Sequence, residues 1–200
     1  TDWERPIESN STEKAADYQS RFSNVIAADK ARCIGSFVFL WGQKQERTPT
    51  WYGLFLENNN STEAAQVMQY LWTGQWPAHR IPQIGKLRVN NMLAEESVHL
   101  QAKQTYSATI DIESTDKNLG YRWEIMEEVD RNMESDGGDF EPTPAVVWQQ
   151  SGLSSQQQIT FVAPDKGEYR LFVYIDDLHG GTATANMPIL VESAGTPSKA

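Results

Sequence analysis

An apolar run at residues 34–41, where Ile34, Phe37, Val38, Phe39, Leu40 and Trp41 stand with almost no polar alternation, sets the strongest condition on the fold. Such a run is the pattern of a strand covered on both faces rather than one lying at a surface. A strand of that kind also needs hydrogen-bonding neighbours along both edges. Nothing else in the first thirty residues can supply a parallel partner, so the segment reads as the closing turn of a larger α/β sheet or barrel whose earlier strands precede Thr1. If it folds without them, residues 37–41 must pair with a strand at 51–56 or with another chain. The run breaks at Gly42 into a polar stretch that ends in a second aromatic cluster, Trp51, Tyr52 and Phe55. Trp41, Gln43, Lys44, Gln45, Glu46 and Trp51 then stand at the carboxyl end of the strand, where α/β proteins build the rim of a ligand site.

Helix start signals lie on either side. Asn10-Ser-Thr-Glu and Asn60-Ser-Thr-Glu match the glycosylation sequon, but each also puts a capping side chain before a first-turn glutamate, Glu13 or Glu63. The spacing predicts a helix over 12–28 with Ala15, Tyr18, Phe22, Val25 and Ile26 on one face. It predicts a second over 62–72 with Ala64, Ala65, Met68, Leu71 and Trp72 inward, stopped by Gly74. Cys33, the only cysteine, is expected as a small core residue, and no disulfide can form within the chain.

The sequences GSFVFLWGQKQERTPTWYGLF, STEKAADY before it and STEAAQVMQYLWTGQWP after it resemble the C-terminal end of a bacterial glycoside hydrolase TIM barrel of the family two-like kind. The resemblance covers about the first eighty residues and implies that both catalytic carboxylates, the acid/base and the nucleophile, lie upstream of Thr1. Retaining glycosidases hold that pair about 5 Å apart, and Asp2, Glu4, Glu8 and Glu46 form no evident pair. Glu46, beside Lys44 and Arg47, reads as a solvated ion pair. What the resemblance transfers is a substrate wall: Trp41 and Trp51 as stacking platforms, with Gln43, Lys44 and Gln45 as hydroxyl partners. It implies carbohydrate and the remainder of the parent barrel as partners, and no catalytic residue, metal or cofactor in this piece.

After Trp76, Pro77 and Pro82 exclude helix and mark a boundary. Beyond it short alternating strands follow, at Leu87–Val89, Val98–Leu100, Tyr106–Ile112, Tyr121–Ile125, Ile159–Phe161, Tyr169–Ile175 and Ala183–Val191. Seven such strands make a β-sandwich the economical solution, with Trp123 as its core tryptophan. YRWEI and APDKGEYRLFVYIDDLHGGTATANMPILV resemble immunoglobulin-like modules of the polycystic-kidney-repeat and cadherin-like type. Such modules trail secreted bacterial carbohydrate enzymes, which implies a secreted or periplasmic location. The fold class is therefore read as α+β, divided into a barrel-like part at 1–80, a linker at 81–84, an immunoglobulin-like sandwich at 85–192 and a disordered tail at 193–200. The stretch 126–144 reads as a long mobile loop.

A net charge of −10 and a pI near 4.8, with no dense basic cluster, argue against nucleic acid and against an anionic membrane surface as partners. Acidic residues gather at turns, Asp111, Glu113, Asp116, Asp136, Asp139, Asp176 and Asp177, and read as solvated surface rather than a calcium site. His79, His99 and His179 are scattered without metal spacing. Two functions are open: a glycoside hydrolase fragment, inactive alone, that lends rim aromatics to a polysaccharide site, or a non-catalytic carbohydrate-binding, adhesion or spacer module.

Overall fold

A computed structural model describes residues 1–114, 118–131, 141–150 and 152–193. Among the described residues, eight strands and two short α-helices follow in the order α1 (Ser11–Arg21), α2 (Glu63–Thr73), β1 (Ile84–Val89), β2 (His99–Gln101), β3 (Thr105–Ile112), β4 (Gly120–Glu127), β5 (Val146–Gln149), β6 (Gln158–Val162), β7 (Gly167–Asp176) and β8 (Thr182–Glu192). The strands form two sheets, β1-β3-β6 and β2-β8-β7-β4-β5. All the neighbouring pairs run antiparallel except β2 with β8.

Alternation explains how the sheets meet. Ile84, Leu87, Val89, Ala108, Ile110, Ile159 and Phe161 of the smaller sheet face Tyr121, Trp123, Ile125, Leu171, Val173, Ile175 and the apolar set of β8 across one core. Trp123 is fully buried, and its ring N–H donates to the Gln156 carbonyl at 3.3 Å. This is a β-sandwich. Each of the seven expected strands is present, and β5, which pairs with β4 at Ile125↔Trp148, is an eighth that the irregular reading of that stretch passed over. Of the mobile loop expected at 126–144, Met126 and Glu127 belong to β4 and Met126, Val129 and Glu141 are buried, while residues 132–140, the tail from 194 on, and Asp116, Asp136 and Asp139 lie outside the described residues.

The long β7–β8 hairpin is buried on both faces, because the first eighty residues lie over the outer face of the larger sheet. Leu56 packs on Met126, Phe172 and Tyr174, the outward residues of β4 and β7. Ser61 N–H donates to the Gly180 carbonyl and Thr182 N–H to the Ser61 carbonyl, each at 2.9 Å. The Asn60 side-chain amide reaches Asp176 at 3.0 Å and Thr182 at 2.9 Å. Burial pushes the Tyr174 hydroxyl far above its ordinary value, an effect reinforced by nearby Glu124, and Arg122 lies 3.8 Å over the same ring.

The barrel-like reading of residues 1–80 is overturned by this arrangement. Residues 34–41 form no strand, and Ile34, Phe37, Phe39 and Trp41 are exposed. The doubly covered strands are β7 and β8, which run antiparallel to each other. Cys33 is half-exposed rather than a core residue. The α+β class with a TIM-barrel end therefore gives way to a β-rich fold with two helices. A continuous apolar run met the pattern of a buried strand, but no neighbouring strand offers the backbone partners that burial requires.

Helix α1 starts where capping chemistry puts it, whereas the residue before α2, Thr62, makes no capping hydrogen bond and its hydroxyl donates to the Leu54 carbonyl instead. Asn10 accepts from Glu13 N–H at 2.9 Å while its own N–H donates to the Glu13 carboxylate at 3.0 Å, a complete capping box. The α-helical part of α1 ends at Arg21, seven residues short of the expected end, and continues as a π-helical turn, Phe22–Ile26. Val25 is exposed there. Helix α2 is stopped by Gly74 in the left-handed conformation, φ 74°. Its buried face includes Val67, while Trp72 is exposed. Ala15, Leu54, Ala64, Val67 and Met68 form the small core between the two helices.

Candidate functional site

Beneath α1 a buried carboxylate organises the contact between layers. Glu8 accepts from Thr48 Oγ1 at 2.6 Å, Thr50 Oγ1 at 2.9 Å and Asn186 Nδ2 at 2.6 Å, and is paired with Lys14 Nζ. Burial alone raises its pKa, but the Lys14 charge and hydrogen bond, the Thr48 bond and the charge of Arg170 outweigh that and hold it below the ordinary carboxyl value. Asn186 in turn accepts from Arg170 Nη1 at 2.8 Å. Arg170 is itself buried, donating to the Pro6 carbonyl at 3.0 Å and standing 2.7 Å from Glu128 as an ion pair without hydrogen-bond alignment.

This polar floor opens into a cavity of about 520 Å³. Ser11, Lys14, Thr50 and Thr184 offer hydroxyl and amine groups at its base, and Tyr18, Phe22, Phe37, Phe39, Trp51 and Tyr52 form its walls. The size is that of a small-molecule site. Phe39 and Tyr52 meet with ring centres 5.0 Å apart at 59°, and the Arg47 guanidinium lies 5.3 Å over the Trp51 ring. Gly53 shapes the wall: at φ 105°, a Cβ there would stand 2.3 Å from the Gly42 carbonyl oxygen. That close approach ties the end of the aromatic segment to the loop that carries Trp51 and Tyr52. Burial raises the Tyr18 hydroxyl above its ordinary pKa despite Arg21.

Of the five residues expected at a sugar site, Trp51 lines this cavity. Trp41 stands outside the cavity lining, exposed, its ring 5.2 Å from Phe55. Gln43 Nε2 donates to the Pro49 carbonyl at 3.2 Å, and Lys44 pairs with Glu46 at 2.9 Å. Gln45 is buried with both side-chain amide atoms lacking a hydrogen-bond partner. The structure thus leaves residues 43–46 outside the cavity lining that includes Trp51. Lys14, Tyr18, Thr50, Tyr52, Phe37 and Phe39 join the site unannounced by sequence, the phenylalanines because their run reads as core. Glu8 reads as part of a frayed start, and nothing in its neighbours signals the buried partners that Thr48, Thr50 and β8 supply.

The acidic turn at 176–177 is neither solvated nor a chelate. Asp177 is buried, and one of its oxygens accepts from His179 N–H at 2.7 Å and Gly181 N–H at 2.8 Å. His79 and His179, distant in sequence, stack with ring centres 3.8 Å apart, joining the residues after α2 to the hairpin turn. Among the described residues no group of three or more His, Cys, Asp or Glu side chains is placed to hold a metal ion, and no helix is long and apolar enough to cross a membrane.

No described protein family and no curated protein matches the sequence. Solved structures match about half of this chain at low similarity. The chain is similar to the PmoD soluble domain from Methylocystis sp. ATCC 49242 (Rockwell), with 14% identity, 56% of this chain and 97% of that chain covered, and a TM-score of 0.35. It is similar to a cellulose-active polysaccharide monooxygenase from M. thermophila, with 14% identity, coverage of 52% and 57%, and a TM-score of 0.31. A superoxide reductase (neelaredoxin) from Ignicoccus hospitalis matches with 15% identity, coverage of 55% and 82%, and a TM-score of 0.31. The two sheets and the strand-free course of residues 34–41 do not correspond to the glycoside hydrolase barrel that the first eighty residues resemble in sequence.

Proposed function

We propose that the chain is a non-catalytic carbohydrate-binding unit in which the aromatic cavity takes a sugar and the sandwich, of immunoglobulin-like type, serves as its scaffold. The observation that carries this reading is the pairing of aromatic walls with a hydroxyl and amine floor. Apolar faces of a sugar ring stack on Trp51, Tyr52 or Phe39, and its hydroxyls meet Thr50, Ser11 and Lys14. Such a role fits a chain working outside the cytoplasm, in the periplasm or after secretion, with glycans as partners.

Titration of tryptophan fluorescence with β-linked oligosaccharides tests the proposal. A saturable change that is lost in Trp51→Ala and kept in Trp72→Ala, on the exposed side of α2, is expected. Absence of binding to any oligosaccharide, or binding indifferent to Trp51, would overturn it.

A further inference from the structure

The charges around the cavity come in opposite pairs. Among the described residues the charged side chains that line it are Lys14, Asp17 and Arg21. Lys14 Nζ is paired with Glu8 at the floor, and Arg21 stands 3.6 Å from Asp17 at the rim. Glu8 is buried behind the floor and, with its pKa held below the ordinary carboxyl value, is ionised at neutral pH. Lys14 therefore presents a donor to the cavity without presenting net charge. Farther in, Arg170 faces Glu128 at 2.7 Å, and Arg47, over the Trp51 ring, is outside the lining.

The hydrogen bonds already made decide what the floor has left to offer. Of the three N–H groups of Lys14, one goes to the Glu8 carboxylate and one to the Thr50 carbonyl at 2.6 Å, which leaves one. Ser11 Oγ accepts from Thr184 N–H at 3.0 Å and keeps its own proton to donate. Thr50 Oγ1 gives its proton to Glu8 at 2.9 Å and takes a long contact from Asn186 Nδ2 at 3.3 Å, so what remains there is a lone pair. Two donors and an acceptor suit a hydroxyl group, which both accepts and donates. A carboxylate only accepts, so it would leave the Thr50 lone pair facing like charge. It would also lose its water among aromatic walls with no net positive charge to replace it.

We propose that the cavity selects uncharged sugars over the matching uronic acids, with Lys14, Ser11 and Thr50 meeting a sugar hydroxyl and Glu8 setting the preference by cancelling the charge of Lys14. The inference rests on the sugar-binding reading above and adds to it the class of sugar and the residue that determines it.

The test pairs each sugar with its own acid. β-Linked gluco-, galacto- and manno-oligosaccharides are titrated beside the same oligosaccharides oxidised at C6 to uronates, with the tryptophan fluorescence of the full chain at neutral pH as the readout. The neutral member of a pair should bind about tenfold more tightly or better. Glu8→Gln, which leaves the Lys14 charge without its partner, should bring the two within about threefold. The comparison in the native chain needs no substitution and holds whether or not Glu8→Gln folds. A uronate that binds as tightly as its neutral parent, or a folded Glu8→Gln that keeps the native ratio, would overturn the inference while leaving sugar binding in place. No binding by either member of any pair would sink the sugar-binding reading and this inference with it.

Discussion

Replacing Glu8 by alanine should loosen the whole N-terminal layer, and its cost can be worked from the carboxylate's partners. Thr48 and Thr50 lose an acceptor but lie 3.3 Å apart and can bond each other. Lys14, with about a quarter of its side chain exposed, can turn to water while keeping the Thr50 carbonyl, 2.6 Å away. Asn186 is worse placed: it still accepts from Arg170, but its amide is left with only Thr50 at 3.3 Å. An under-satisfied buried amide together with the lost pairing of a partly exposed Lys14 gives an expected loss of about 1–3 kcal/mol. For a chain of this size that is a fall in Tm of order 5 °C. Urea unfolding at neutral pH measures it. The pH dependence supplies an independent check. With its folded pKa held below the ordinary 4.5, Glu8 contributes stability that is complete above that value and is lost as pH falls through the lowered one. The difference between wild type and Glu8→Ala should therefore narrow in acid. A loss below about 1 kcal/mol, or one independent of pH, would refute the claim that an ionised Glu8 holds the layers together.

Glu63 should behave in the opposite sense. Burial raises its pKa, outweighing bonds from Thr12 and Gln83 and the charge of Arg80, and one carboxylate oxygen has no hydrogen-bond partner. Wild-type stability then falls as pH rises from 4.5 through the raised value, so Glu63→Gln should gain on wild type as pH rises above 4.5 in urea titrations. Gly181→Ala would put a Cβ 2.4 Å from both Ile81 Cγ1 and Asp177 Oδ2, and should cost about 1–3 kcal/mol by thermal unfolding. Gly53→Ala combines φ 105° with a clash against backbone, and should cost more than Gly181→Ala and also weaken any oligosaccharide bound beside Trp51.

The sandwich was legible because its signal is local. Two-residue alternation at Tyr169–Ile175 and Ala183–Val191 names the inward side chains whatever lies outside them. Of the outward ones, Arg170, Tyr174, Thr184 and Asn186 are polar or amphipathic and the same alternation reads them as solvent-facing, while Phe172 is the apolar exception. They are buried instead because another part of the chain covers them, and periodicity within one strand carries no trace of a cover supplied from more than a hundred residues away. Only β5 was missed among strands. Its alternation is short and interrupted, and Val146 and Val147 remain exposed.

The first eighty residues invert that relation between pattern and burial. Their capping signals are local and the helices start where those signals stand, but the apolar run at 34–41 states only that burial would be favourable, not that a partner is present. Sequence hydrophobicity specifies a demand; hydrogen-bonding neighbours decide whether a strand can meet it. In this chain the demand at β7 and β8 is met by Leu56, Ser61 and the Glu8 network, which occupy the outer sheet face. The segment carrying Phe37 and Phe39 is consequently left at the rim, where one side contributes to a cavity and the backbone stays open. The same residues therefore give the site its aromatic wall and the surface its unpaired edge.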